Sequence, residues 1–217
     1  VQDLSDGETV TDSYTFEAIA QDSSSTTQEV TVTIHGTNDN SQITTSASVE
    51  DAVTEDDGVD VANKLTATGT IQVSDADDGE GTFDNALTTG TGSSGALLGS
   101  LTITESGTWT YTVDNTLGEI QSLAVGNSIT EVFTVKTEDH AETKDITITI
   151  NGANDDSAIS LVASDSSGET VIEDFADDLF ETKLTTSGTL TVSDPDNGEG
   201  AFDDSLTVFK SSTSSAG

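Results

Sequence analysis

Apolar and polar residues alternate along most of the chain, most regularly between residues 98 and 151. Trp109, Tyr111 and Val113, for example, are separated by single threonines. A period of two places successive side chains on opposite faces of a strand, so this pattern predicts β-strands with one buried face. Threonine suits the exposed face because it is β-branched and polar. No long stretch has a helical period, and residues 117–125 are predicted to hold one short helical turn.

Seven strands are predicted between residues 43 and 151. In chain order they are A (43–49), B (65–74), C (85–91), D (98–105), E (107–113), F (130–138) and G (144–151). Glu105, Ser106 and Gly107 are predicted to form a tight hairpin between D and E. About seven strands in roughly 100 residues, separated by turn residues, are typical of a β-sandwich. We therefore predict an all-β fold whose inward strand residues form the core.

Two segments of the chain occur twice. Residues 30–40 return as 146–156, a spacing of 116 from Asn38 to Asn154, and residues 68–81 return as 187–200, a spacing of 119 from Asp75 to Asp194. Repeats of this length are whole domains rather than solenoid units. Their phase predicts the C-terminal part of a repeat in 1–40, a complete β-sandwich repeat in 41–156 and the N-terminal part of a third in 157–217. We expect the chain to be a fragment of a longer array.

The charge balance is extreme. The 217 residues contain 41 Asp and Glu against 5 Lys and no Arg, which gives a net charge of −36. Nucleic acids and anionic membranes are excluded as direct partners because both need a cationic surface. The absence of cysteine excludes disulfides and thiolate metal sites. The sequence shows no signal peptide and no apolar run near 18 residues, so no membrane insertion is expected.

The acidic residues are predicted to collect at the two ends of the sandwich. If successive strands run up and down, the incoming linker and the B–C and F–G loops share one end, which Asp3 and Asp6 of the preceding repeat should also reach. The A–B loop, predicted to carry Glu50 and Asp51, shares the other end with the E–F loop and the outgoing linker. The expected metal ligands are Asn38, Asp39, Asn40, Asp75, Asp77, Asp78 and Asp139 at the first end, Glu55, Asp114, Asn154, Asp155 and Asp156 at the second, and Asp194 and Asp196 in the repeated B–C loop.

Carboxylates at this density repel one another unless cations compensate them, and five lysines are too few. Ca²⁺ takes six to eight oxygen ligands, and Asp75 and Asp77 present two carboxylates on one side of a tight turn. Asn38 and Asn154 would add carbonyl oxygens or fix the linker backbone. The loop is not an EF-hand, because residue 79 supplies the glycine one place early and Ala86 takes the place of the last ligand.

The acidic residues also allow two interpretations that involve no metal. Any single Asp can be a solvated turn residue, and an acidic surface can be an adaptation to high salt. Salt adaptation would scatter acids over the exposed strand faces, which are mostly Thr and Ser. Repetition of the same acids at matched positions favours calcium.

The residues do not indicate an enzyme. His35 and His140 are expected to be exposed, and neither has the convergent partners that a triad or zinc site needs. Paired carboxylates can hydrolyse glycosides, but the aromatic platform of a sugar cleft is missing because Trp109 and Tyr111 are predicted to face the core.

Four motifs carry a resemblance to a known family. They are TGTIQVSDAD at 68–77, GTWTYTVDN at 107–115, IQSL at 120–123 and ITINGAND at 148–155. In this order they resemble the VCBS-type repeat of large bacterial surface proteins, including RTX adhesins. The linker GTNDN at 36–40 is similar to the calcium linker of cadherins. Near the family's usual proline this chain has Ser41 and Ser157, so the resemblance does not imply a linker that is rigid without metal.

The resemblance implies tandem cadherin-like or immunoglobulin-like sandwiches, extracellular placement on a bacterial cell surface, type I secretion, and a role in adhesion or biofilm formation. We expect a calcium-stiffened extender whose partners are calcium ions and neighbouring repeats of the same chain, with the tip ligand bound elsewhere. The alternative is a surface module that itself binds a glycan or another ligand. It requires exposed aromatic residues, and Phe83 and Phe202 are the loop aromatics expected to be available.

Overall fold

The computed structural model describes residues 2–45, 49–86, 89–160 and 189–204. These residues form thirteen strands and one helical turn. They are β1 (Thr9–Ile19), β2 (Ser25–His35), β3 (Gln42–Ile43), β4 (Val49–Thr54), β5 (Lys64–Thr70), β6 (Val73–Ser74), β7 (Thr89–Gly92), β8 (Gly99–Ile103), β9 (Thr108–Asp114), α1 (Gly118–Gln121), β10 (Ser128–Lys136), β11 (Thr143–Asn151), β12 (Ala158–Ser160) and β13 (Thr191–Ser193). The predicted all-β class is confirmed, and α1 is the helical turn expected in 117–125.

The chain divides into two compact units. The first comprises Val1–Thr116 and Ser128–Asn151, and the second comprises Leu117–Asn127 and Gly152–Gly217. The first contains the strands β1 to β11, and the second contains α1, β12 and β13. The predicted repeat boundaries at residues 40 and 156 remain a prediction.

A β-sandwich forms the centre of the first unit. One sheet has the strand order β4-β11-β10-β7 and the other has β5-β9-β8. Alternate residues are buried in the strands β5, β8, β9, β10 and β11, which confirms the period-two prediction for them. The buried apolar side chains of these strands are Val53, Leu65, Ala67, Leu101, Ile103, Trp109, Tyr111, Val113, Ile129, Phe133, Val135, Ile146, Ile148 and Ile150. Val73 of β6 is half-buried.

The hairpin between β8 and β9 follows the sequence prediction. Thr104 and Thr108 close a three-residue loop through the Thr104 amide and the Thr108 carbonyl. Gly107 has a φ of +83°, a left-handed conformation that side chains strain. Next to this loop, Gly69 pairs with Trp109, and a Cβ at Gly69 would collide with the indole ring. Gly107 is therefore required by the backbone conformation of the loop, and Gly69 is required by the Trp109 side chain that packs against it.

Strand A differs from the prediction. Instead of one strand over 43–49, the structure has β3, antiparallel to β6, and β4, parallel to β11. Glu50 and Asp51, expected in the A–B loop, are exposed residues of β4. Acidic residues disfavour strands when considered alone, but the edge of β11 supplies a ladder of backbone partners, and this tertiary pairing outweighs the local preference. Of predicted strand C, residues 85 and 86 are not in a strand, residues 87 and 88 lie outside the described residues, and β7 covers the rest.

The hairpin of β1 and β2 has the same alternation as β10 and β11 but an exposed apolar face. Tyr14 pairs with Val30, as Phe133 pairs with Ile146 in the sandwich. Tyr14 and Phe16 are 51% and 61% exposed. Phe83, expected to be available in a loop, is fully buried, whereas Phe202 is half exposed.

A carboxylate lies inside the sandwich core. Glu131 of β10 is fully buried, and its oxygens accept hydrogen bonds from the Leu98 amide at 2.5 Å, the Gly99 amide at 3.2 Å and the Tyr111 hydroxyl at 2.7 Å. Burial and the hydrogen bond to Glu131 raise the pKa of the Tyr111 hydroxyl, which therefore remains a donor. Because Glu131 belongs to one sheet and its three donors belong to β8, β9 and the segment before β8, this carboxylate joins the two sheets.

Replacing Glu131 should destabilise the fold strongly. E131A leaves two backbone amides and a buried hydroxyl without an acceptor, so we expect the free energy of unfolding to fall by about 3 kcal/mol. Urea denaturation followed by Trp109 fluorescence measures the change. The control E138A removes an exposed carboxylate and should stay within about 0.5 kcal/mol of the parent. Equal stabilities of E131A and E138A would contradict the conclusion that the Glu131 carboxylate joins the two sheets.

Candidate metal site

The incoming linker is bound to two loops of the sandwich. The Asp39 amide donates to Asp77 Oδ2 at 2.8 Å, and the Ser41 amide donates to Asp139 Oδ2 at 2.8 Å. The Ser41 hydroxyl donates to Asp75 Oδ2 at 2.7 Å. We call this group linker site 1, defined by residues 38–41, 75–78 and 139. The structure thus brings together the predicted incoming linker, B–C loop and F–G loop.

The loop after β6 turns one carboxylate inward. The Asp77 amide donates to Asp75 Oδ1 at 2.8 Å, and Gly79, with a φ of +82°, completes the turn. As a result Asp77 is only 2% exposed. Its Oδ2 accepts the linker amide, but its Oδ1 is buried and has no hydrogen-bond partner. A buried carboxylate oxygen without a partner is costly, so it marks a place where a cation would be stabilising.

The same arrangement occurs in the second unit. The Asp155 amide donates to Asp196 Oδ2 at 2.9 Å, the Ser157 hydroxyl donates to Asp194, and the Asp196 amide donates to Asp194 Oδ1 at 2.9 Å. Asp196 is 2% exposed, and its Oδ1 again is buried without a partner. We call this group linker site 2, defined by residues 154–157 and 194–199.

Linker site 2 contains a compact group of carboxylates. One oxygen from each of Asp194, Asp196 and Glu199 lies within 4.8 Å of the others. Glu199 was not among the ligands predicted from the sequence, although the matched pair Glu80 and Glu199 was a signal for it. Both linker sites offer carboxylate, amide and backbone oxygens without a histidine among their defining residues. This donor set fits the hard cation Ca²⁺ better than zinc.

The asparagines of both linkers fix the backbone. The Asn38 side-chain amide donates to the Asp39 carbonyl at 2.6 Å, and the Asn154 side-chain amide donates to the Asp155 carbonyl at 2.7 Å.

Three other predicted ligands lie at the surface. Asn40 and Asp156 are exposed. Asp78 is also exposed, and its amide donates to the Asp3 carbonyl at 3.3 Å.

Asp139 remains ionised at neutral pH. Burial raises the pKa of its carboxyl group, but hydrogen bonds from Thr137, Ser41 and Ala141 outweigh the burial and hold the pKa below its usual value. The next residue, His140, is exposed, and its ring lies 3.1 Å from Asp84 Oδ2. The Ala86 amide and His140 together lower the pKa of Asp84.

Two further predicted ligands, Asp114 and Glu55, belong to neither linker site. Asp114 forms an ion pair of 2.9 Å with Lys64 and accepts a hydrogen bond from Thr116. Glu55 is 1% exposed, and its backbone amide donates to the Asn151 carbonyl at 2.9 Å. Both belong to the first compact unit, whereas residues 154–156 belong to the second.

Two residues of linker site 1 and its surroundings were missed. The sequence gives Ser41 no role beyond its place near the family's usual proline, yet it is 2% exposed and uses both of its donors. Glu142, in the loop between β10 and β11, accepts a hydrogen bond from the Ile43 amide. The recurrence of serine at position 157 was the available signal for Ser41, and no signal pointed to Glu142.

No family model matches the chain, and no curated protein matches it either. Solved structures similar to it include the mouse clustered protocadherin fragment PcdhgC3 EC1-3, with 12% identity and a TM-score of 0.38, covering 84% of this chain and 54% of that one. Another is PcdhgB3 EC1-4 in 50 mM HEPES, with 12% identity and a TM-score of 0.36, covering 88% of this chain and 50% of that one. The chain thus spans about half the length of these structures.

Among the residues that the structure describes, no helix is long and apolar enough to cross a membrane.

The Asp114 pKa offers a test of its ion pair. Hydrogen bonds from Lys64 and Thr116 lower the pKa of Asp114 to about 2 from a usual value of 3.8. Since the folded-state pKa is depressed, the stability from this pair is present above pH 3.8 and is lost as the pH falls through about 2. Carboxyl carbon NMR titration should show K64A raising the Asp114 pKa toward 3.8, while K144A leaves it unchanged. A pKa insensitive to K64A would refute the pairing.

Proposed function

We propose that this chain is an extender: tandem β-sandwich repeats joined by linkers that bind Ca²⁺ and so hold neighbouring repeats in a fixed relation. In this proposal the repeats project a distal binding domain from a bacterial cell surface during adhesion or biofilm formation, after type I secretion. The role is mechanical rather than catalytic. Its partners are calcium ions and neighbouring repeats of the same chain.

One observation carries the proposal. Asp77 and Asp196 are each only 2% exposed, and each holds one buried oxygen without a hydrogen-bond partner. A single orphaned oxygen could be an accident of packing. Two at matched positions of the repeat, each on the second aspartate of an Asp-x-Asp turn whose carboxylate binds a linker amide, indicate a recurrent need for a positively charged group.

The surroundings support a cation supplied from solution. The chain has 5 Lys for 41 Asp and Glu, so most carboxylates must do without a cationic side chain. Ca²⁺ would supply charge compensation and six to eight coordination positions. Asp75, Asp77 and Asp139 would hold it in linker site 1, and Asp194, Asp196 and Glu199 in linker site 2. Without it, the carboxylates of each linker site repel one another and favour looser linkers.

Calcium affinity should depend on the two inward carboxylates. We expect isothermal titration calorimetry of the 217-residue chain to detect Ca²⁺ binding, and D77N and D196N each to weaken one class of sites by about tenfold or more. Replacing a charged ligand by a neutral one lowers the site charge on which affinity depends. The matched control D51N changes an exposed strand carboxylate and should bind as the parent does. Absence of binding, or equal losses in D51N, would refute calcium at these residues.

Chelation should change both stability and shape. Binding to the folded state alone stabilises by about 2.7 kcal/mol at 100 times Kd, so EDTA should lower the melting temperature. It should also broaden the distribution of dimensions measured by small-angle X-ray scattering, and returning Ca²⁺ should reverse both effects. Identical melting and scattering curves with EDTA and with Ca²⁺ would argue against a calcium-stiffened extender.

The alternative, a glycan- or ligand-binding surface module, has one supporting observation. Tyr14 and Phe16 are exposed on β1. However, the register of β1 and β2 gives their face the pattern that β10 and β11 bury in the sandwich core, so core packing accounts for the same residues. A glycan array probed with the parent and with Y14A/F16A distinguishes the extender from the glycan-binding module. Only the glycan-binding module predicts that the parent binds a glycan and that the double variant does not.

A further inference from the structure

The linker segment is bound along both of its edges. On one side β3 pairs with β6, and the Thr44 amide continues this ladder by donating to the Gln72 carbonyl at 2.9 Å. The amides of residues 39, 41 and 43 take no part in this ladder and donate to side chains instead. In an ordinary edge strand such amides would face solvent or a neighbouring strand.

Here carboxylates take the place of that neighbouring strand. The amides of Asp39, Ser41 and Ile43 donate in turn to the carboxylates of Asp77, Asp139 and Glu142. Asp77 comes from the loop after β6, and the other two come from the loop between β10 and β11. We call these three carboxylates the acceptor row. Hydrogen bonds to ionised acceptors are roughly twice as strong as neutral ones, so three of them make a substantial attachment.

Ser41 lies at the centre of this attachment. It is 2% exposed and donates its amide to Asp139 and its hydroxyl to Asp75. A proline at this position could make neither bond, because it has no amide proton and no hydroxyl. In the second unit the Asp155 amide and the Ser157 hydroxyl bind Asp196 and Asp194 in the corresponding way. The recurrence indicates that the serine contact is a property of the repeat rather than of one loop.

We propose that the acceptor row and Ser41 form a latch that fixes the linker on the sandwich before any metal binds. Its bonds need only this chain's own amides, one hydroxyl and four carboxylates. Ser41 is a positioning residue, since it holds one oxygen of Asp75 and one of Asp139 in place. Calcium would then act on a linker that is already in register. The latch goes beyond the proposed function, because it exists whether or not the site binds calcium.

Amide hydrogen exchange tests the latch directly. In the parent chain in EDTA at neutral pH, NMR should find the amides of residues 39, 41 and 43 exchanging at least about tenfold more slowly than their intrinsic rates. E142A should speed exchange at Ile43 about tenfold with an unchanged melting temperature, because Glu142 is exposed. E142Q keeps an oxygen acceptor and should restore most of the protection. Intrinsic rates at all three amides of the parent, with core amides of β10 and β11 protected, would overturn the latch.

Ser41 variants separate the two donors. S41A removes the hydroxyl alone and should weaken Ca²⁺ binding severalfold by releasing Asp75, while S41P also removes the amide and should release residues 39 and 43 to fast exchange. The control S106A removes an exposed hydroxyl and should change neither quantity. Should S41P fail to fold, E142A still decides the outcome.

The same samples distinguish this inference from the proposed function. Slow exchange in EDTA with no Ca²⁺ binding would support the latch and refute the calcium site. Calcium binding with fast exchange in EDTA would support the calcium site and refute the latch, since the linker would then be ordered by the metal alone.

Discussion

The shortage of cationic side chains is the constraint on which the rest of the structure depends. With 5 Lys for 41 Asp and Glu, carboxylates cannot be paired by the usual ionic partners. The Lys64–Asp114 ion pair is therefore an exception among the described residues rather than the pattern. Most of the structurally important carboxylates instead accept hydrogen bonds from backbone amides and hydroxyls. These donors are neutral, so they orient a carboxylate without cancelling its charge.

The core and the linker use this principle in the same way. Glu131 collects two amides and the Tyr111 hydroxyl inside the sandwich and so joins its sheets. Asp77 and Asp139 each collect an amide of the linker and so attach it to the sandwich. In both places the carboxylate accepts hydrogen bonds from backbone amides that would otherwise need a backbone carbonyl as acceptor. The difference lies in what remains: no side-chain oxygen of Glu131 lacks a partner, whereas Asp77 retains one buried oxygen without a partner.

That remaining oxygen connects the structural role to the proposed function. The linker amides use one oxygen of each inward aspartate and leave the other buried without a partner, at residue 77 and again at residue 196. A cation at either linker site would therefore take an oxygen that the linker does not need. Attachment of the linker and binding of a cation would cooperate rather than compete.

The sequence by itself determined the features encoded by neighbouring residues: the alternation of the strands, the inward Trp109 and Tyr111, the β8–β9 hairpin and the acidic turns at 75–79 and 194–198. It could not determine which distant segments would meet. The split of strand A between β6 and β11, the burial of Glu131, and the pairing of Asp114 with Lys64 depend on long-range neighbours. Ser41 and its acceptor Asp139 are 98 residues apart. Periodicity specifies which face of a strand is buried, but the partner of each polar group is chosen only when the sheets have packed.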